Sequence, residues 1–254
     1  NYNIVGTTNL QSLDSAGGLV VSAGTLSIGN ALTTASYSQN AGTVSGAGSF
    51  TTTGSFSQTG GAINMGGPVS VTQSAGNLTV GAITGASISL SATAGSIAQT
   101  GALVTSGLLS ASSQSGTVLN NAGNQVSSFR AVLSGAGPIE LTNTGALGVV
   151  SMSSASGNMT LVNTGAITTS GAITASGGGV NLTANSPLTV GAGGIAATGN
   201  IILTASNLTS AGNMTLNGSV ASSGGSVTLN AASNLTQNGV VAGATGVTAT
   251  AGGT

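Results

Sequence analysis

Apolar and polar side chains alternate over short runs along the chain, and many runs open on a glycine turn. In Gly157-Asn158-Met159-Thr160-Leu161-Val162-Asn163-Thr164-Gly165-Ala166-Ile167, Met159 and Leu161 fall on one side and Thr160 on the other. Asn163-Thr164-Gly165 then turns the chain into the next run. A period of two with Thr and Ser at the polar positions predicts short strands. The phrase returns at Gly76-Asn77-Leu78-Thr79-Val80, Gly137-Pro138-Ile139-Glu140-Leu141, Gly199-Asn200-Ile201-Ile202-Leu203, Gly212-Asn213-Met214-Thr215-Leu216 and Gly225-Ser226-Val227-Thr228-Leu229. Leu141, Leu161, Leu182 and Leu203 step by 20, 21 and 21. Toward the N-terminus, Gly24, Gly42, Gly61, Gly76 and Gly95 step by 18, 19, 15 and 19. The phrases around Tyr37, Phe56 and Val71 step by 19 and 15. Near the other end Leu203, Leu216 and Leu229 step by 13, so either the coil shrinks or successive phrases sit on different faces.

A unit of about 20 residues is too short to bury its apolar side chains alone; stacked units line them up into one core. The pattern therefore predicts an all-β chain: a single elongated parallel β-helix over 1–254, with about 12 coils of roughly 19–21 residues. At ~4.8 Å per strand it forms a rod roughly 60 Å long. Helix is a poor alternative with 44 glycines, each of which costs about 1 kcal/mol in a helix interior. The least regular stretch is 101–135. Leu90 and Leu119 stand too far apart for one ordinary coil, and an irregular or looped-out coil is expected there. Neither end carries a helical cap, and both stop in mid-pattern. An excerpt of a longer chain and end-to-end stacking of copies both fit this.

Composition narrows the interior. Aromatic residues are 2% and Trp is absent, so the core must be built from Ala, Val, Ile and Leu. The mean hydropathy of +0.43 argues against disorder despite the abundance of Gly, Ser, Thr and Asn. Charge is almost missing: Asp14, Arg130 and Glu140 are the only charged side chains. Phosphate neutralisation needs several Lys or Arg, so nucleic acid is excluded as a partner, and so are anionic membranes. No apolar run approaches the ~20 residues that span a bilayer, so no membrane insertion is expected. High β-propensity, low charge and only three prolines describe a stacking-prone chain whose expected partners are copies of itself. No signal peptide is visible, which suggests a mature segment.

Gly212-Asn213-Met214-Thr215-Leu216, Gly224-Gly225-Ser226-Val227-Thr228-Leu229-Asn230-Ala231 and Ala75-Gly76-Asn77-Leu78-Thr79-Val80, in coils of about 19–21, resemble the filamentous haemagglutinin type of repeat. Such repeats occur in two-partner-secretion adhesins and related autotransporter passengers of Gram-negative bacteria. The resemblance covers most of the chain and implies a right-handed parallel β-helix, export to the cell surface, and a role in adhesion or biofilm. The chain departs from the family in its scarcity of charge and in lacking the Asn-Pro motifs of the secretion domain. A fibre subunit fits those departures better than a host-cell adhesin does.

Reactive chemistry is scarce. A two-carboxylate glycosidase needs a paired acid and base, but Asp14 and Glu140 are about six coils apart on the solenoid reading. There is no His for general-base work and no Cys for thiolate ligation. The Gly-Gly-x-Gly-x-Asp calcium repeat is absent. No catalytic, cofactor-binding or metal-ligating residues are assigned, and no enzyme is expected. Arg130 and Glu140, close in sequence, are read as a structural ion pair or two single surface charges. Asn-x-Ser/Thr sequons stand at Asn77, Asn158, Asn181, Asn207, Asn213, Asn217 and Asn234. They are glycan acceptors on one reading; on the favoured one they are a by-product of Asn in turns and Thr in strands. The same asparagines are candidates for side-chain ladders between coils. Thr51-x-Thr53 and Thr142-x-Thr144 match a water-ordering, ice-binding face, without repetition in every coil.

These readings point to an extracellular structural β-solenoid that forms or extends a bacterial surface fibre. The main alternative is the shaft of a large secreted haemagglutinin-like adhesin that contacts a host or neighbouring-cell surface elsewhere. Ice binding and polysaccharide degradation rank far behind.

Overall fold

The computed structural model describes residues 2–208 and 211–253. Thr209, the last residue of the sequon at Asn207, and the two terminal residues Asn1 and Thr254 lie outside the described residues. The described residues contain strands and turns and no helix. They form parallel stacked coils, a β-solenoid of about 12 turns. The coils group into two compact units, Asn1–Val126 and Ser127–Thr254.

Each coil of the first unit contributes three strand segments, and like segments stack in parallel. One stack runs Thr7, Thr25, Thr43, Ala62 and Ala82, at steps of 18, 18, 19 and 20. A second runs Leu13, Leu32, Phe50, Val69, Ile88 and Leu109, at 19, 18, 19, 19 and 21. The third pairs Tyr2 with Leu19, Tyr37 and Phe56, and further on Leu78 with Ile97 and Thr117. The shortest glycine step in the sequence passes from one stack to another: Gly61 precedes the strand Ala62–Met65, whereas Gly76 leads to Leu78–Val80 on a different face. The long interval from Leu90 to Leu119 also changes stacks. Leu90 pairs with Ala111, and the strand Thr117–Leu119 pairs with Ile97–Gln99, so both are ordinary coil steps. A turn closed by the Asn124 amide on the Asn121 carbonyl follows Leu119, and the strand Gln125–Ala136 carries register shifts at Phe129/Arg130 and Leu133/Ala136.

The second unit repeats the three-stack plan. Leu141, Leu161, Leu182, Leu203, Leu229 and Ala249 are register partners, at steps of 20, 21, 21, 26 and 20. Leu147, Ile167, Leu188, Met214 and Leu235 form the next stack, at 20, 21, 26 and 21. Met152, Ile173, Ile195, Val220 and Val241 form the last. Leu203 pairs with Leu229 while Leu216 pairs with Val190, so the steps of 13 join two faces and the coil itself is enlarged. Its extra residues lie between the strands Ile201–Ala205 and Met214–Leu216, and Leu208 there is 84% exposed.

Period-two strands put every second side chain inside. Stacked identical positions therefore form columns of Leu, Ile and Val, buried almost completely in the interior coils. The first unit adds an aromatic knot. Tyr37 meets Phe50 edge-on with ring centroids 4.9 Å apart and stacks on Phe56 at 5.4 Å. Glycine is required where the turns stack. Gly157 has φ +132, and a Cβ there would collide with the Gly137 carbonyl one coil below.

Candidate functional site

The side-chain chemistry of this chain is concentrated where one coil meets the next. Gln39 and Gln58 occupy the inward parity of the strands Thr25–Gln39 and Ser49–Gln58 and are buried. Gln58 Nε2 donates to Gln39 Oε1 at 3.2 Å, and Gln39 Nε2 donates to the carbonyls of Gly42 at 3.1 Å and Ala62 at 3.2 Å. The Gly81 amide donates to Gln58 Oε1 at 2.8 Å. Tyr37 donates its hydroxyl to Gln39 Oε1 at 3.0 Å. Burial pushes the Tyr37 phenol far above its ordinary pKa of 10.0, so it stays a neutral donor. Gln99 and Asn124 exchange amide hydrogen bonds at 2.9 and 3.0 Å, and Asn124 also bonds the backbone of Leu103 and Leu119. In the second unit Asn143 and Asn163 make the equivalent contact. Each of these amides supplies both a donor and an acceptor, so one side chain ties a turn to its neighbour above or below.

The Gly-Asn turn has a similar use on the outside. The side-chain oxygen of Asn77 accepts from the Ser96 amide at 3.0 Å, that of Asn158 from Gly179 at 2.8 Å, and that of Asn200 from Ser226 at 2.9 Å. Asn213 accepts from the Asn234 side chain at 3.3 Å, and Asn217 from Asn238 at 2.9 Å. Most of the sequon asparagines are thus rungs between coils. Asn181 differs, since its Oδ1 is buried and makes no hydrogen bond.

Asp14 belongs to the first unit, Arg130 and Glu140 to the second. Arg130 is exposed on the strand Gln125–Ala136, and Glu140 is half-buried on the outer side of Ile139–Asn143, beside Thr160 in register. Among the described residues no ion pair joins them. Among the described residues no three His, Cys, Asp or Glu side chains come together.

The hollows are shallow surface grooves. One of about 350 Å³ runs over Thr174, Ala196, Ala197, Ala221 and Ser222. Another of about 330 Å³ is framed by Asn158, Thr160, Asn181, Asn200 and Ile202, alongside Gly178, Gly179 and Gly199. Neither groove contains an ionisable group. Of the Thr-x-Thr pairs, Thr142 lies in a strand whereas Thr144 falls in the turn after it. Thr168, Thr189, Thr215 and Thr236 recur in register as one file, and Thr183 with Thr204 and Thr228 with Thr248 recur as shorter pairs.

Comparison with family models, with curated proteins and with solved structures finds no match.

Proposed function

We propose that the chain is a mechanical element: an extracellular β-solenoid that forms or extends a bacterial surface fibre in adhesion or a biofilm matrix. The carrying observation is where its buried and turn amides bond. Gln39–Gln58, Gln99–Asn124, Asn143–Asn163 and Asn213–Asn234 all link one coil to another. A structure whose polar side chains serve coil-to-coil cohesion is suited to bearing load along its stack. A site for a soluble ligand would instead gather polar groups into a concave pocket.

In this reading copies of the chain assemble end to end through the same parallel pairing that joins successive coils. The alternative is the shaft of a longer secreted adhesin of the filamentous haemagglutinin type, with the same stack continued by its own chain. Electron micrographs of the purified chain over a range of concentrations distinguish these. Rods that lengthen at constant width support the fibre; discrete rods of one length at high concentration overturn self-assembly and leave the shaft.

A further inference from the structure

We infer that the outer face of one sheet in the second unit is a surface for lateral pairing with a second copy of the chain, and that Glu140 restrains that pairing. The face is made by the strands Ile139–Asn143, Met159–Asn163, Val180–Ala184, Ile201–Ala205, Val227–Ala231 and Val247–Ala251. All five junctions are parallel and free of register shifts. Two outward rows result. One runs Glu140, Thr160, Asn181, Ile202, Thr228 and Thr248; the other runs Thr142, Val162, Thr183, Thr204, Asn230 and Thr250.

Three features select a second copy as the occupant. The first is pitch: side chains repeated at the ~4.8 Å strand spacing interdigitate best with another sheet of the same spacing. The second is chemistry, because branched and amide side chains fill both rows and Val162 and Ile202 are 43% and 38% exposed. The third is charge. The chain has only three charged residues, and Glu140 alone lies on this face. Packing a second sheet over it would bury a carboxylate with no cation opposite, since the unit's only other charge, Arg130, belongs to another strand. A single charge on an otherwise sticky sheet is a recognised guard against association.

Area sets the strength. Five residues at ~3.3 Å by six strands at ~4.8 Å give roughly 450 Å² per side, about half of the ~800 Å² typical of a stable complex. One contact is therefore transient. Repeated along fibres it becomes cohesive by multivalency. The biological setting rests on the fibre reading, but the contact is read separately: end-to-end growth lengthens rods, lateral pairing widens them.

Sedimentation velocity over a concentration series tests it, with micrographs of the same samples. Glu140→Gln is expected to raise the lateral association constant about tenfold. Thr183→Lys, on the outward side of its strand, is expected to abolish pairing without altering the circular dichroism spectrum or rod length. Equal association of wild type, Glu140→Gln and Thr183→Lys overturns the inference, as does widening that persists in Thr183→Lys. Loss of lengthening with retained widening counts against the fibre reading alone.

Discussion

The Asn143 side chain donates from Nδ2 to Asn163 Oδ1 at 3.0 Å, one coil on, and both residues are buried. Asn163 passes the contact inward: its own Nδ2 donates to the Gly145 carbonyl at 2.8 Å and to Ala166 at 2.7 Å. Replacing Asn163 by Ala removes the bond from Asn143 and the two that Asn163 donates, although the Ala166 carbonyl still accepts from the Leu147 amide. At ~1–3 kcal/mol for a buried group left unsatisfied, partial relaxation puts the expected loss at about 2–4 kcal/mol. Asn185→Ala, at an exposed rung that accepts from Ser206 at 3.3 Å, is expected to cost under ~0.5 kcal/mol. Urea titration followed by circular dichroism measures both.

Two turn glycines separate backbone preference from steric contact. Gly145 has φ +92 and open space where a Cβ would stand, whereas Gly157 has φ +132 and the Gly137 carbonyl in the way. Gly145→Ala is expected to cost about 1–2 kcal/mol, for conformation alone. Gly157→Ala adds an overpacking penalty of about 1–3 kcal/mol. The difference between their denaturation midpoints checks the stacked-turn geometry.

Leu161 is fully buried between Leu141 and Leu182, while its neighbour Thr160 faces outward. Leu161→Ala is expected to destabilise by about 2–5 kcal/mol and Thr160→Ala by under ~0.5 kcal/mol. Equal effects in thermal melts would contradict the assignment of inner and outer faces.

Tyr37 gives an optical test. Tyr2 is 54% exposed and Tyr37 is 1% exposed. Burial raises the pKa of the Tyr37 phenol in the folded state above that of the unfolded chain, whose phenols ionise near the ordinary ~10. Above that pH the unfolded state releases a proton that the folded state keeps. Stability is therefore unaffected by Tyr37 below about pH 10 and falls as pH rises beyond it. Ultraviolet titration of the folded protein should show the Tyr37 phenol ionising only on unfolding.

The repeat was readable wherever one residue type held one position. Leu141, Leu161, Leu182 and Leu203 are true register partners, and their spacing gave the coil length directly. The steps of 15 and 13 were ambiguous because each coil has three strands carrying the same glycine-led phrase. Glycine spacing alone does not reveal which strand a phrase belongs to. The enlarged coil between Leu203 and Leu229 was hidden for this reason. The asparagine rungs were legible as candidate ladders. The buried glutamine ladder was not, although a signal existed: in Tyr37-x-Gln39 and Phe56-x-Gln58 the glutamine shares parity with the aromatic ring, which places it inside. Polar residues in phase with apolar ones mark internal amide rungs.

The most direct test of the stacked-coil account is disulfide trapping, because the chain has no cysteine of its own. Thr183 and Thr204 are register partners on adjacent parallel strands. Their Cα separation of about 4.8 Å falls within the ~4.4–6.8 Å that a disulfide spans. The double variant Thr183→Cys, Thr204→Cys should close an intramolecular disulfide under mild oxidation with its circular dichroism unchanged. Thr183→Cys with Asn230→Cys, two strand spacings apart, should stay reduced. Efficient closure of the second pair, or failure of the first in folded protein, would contradict the account.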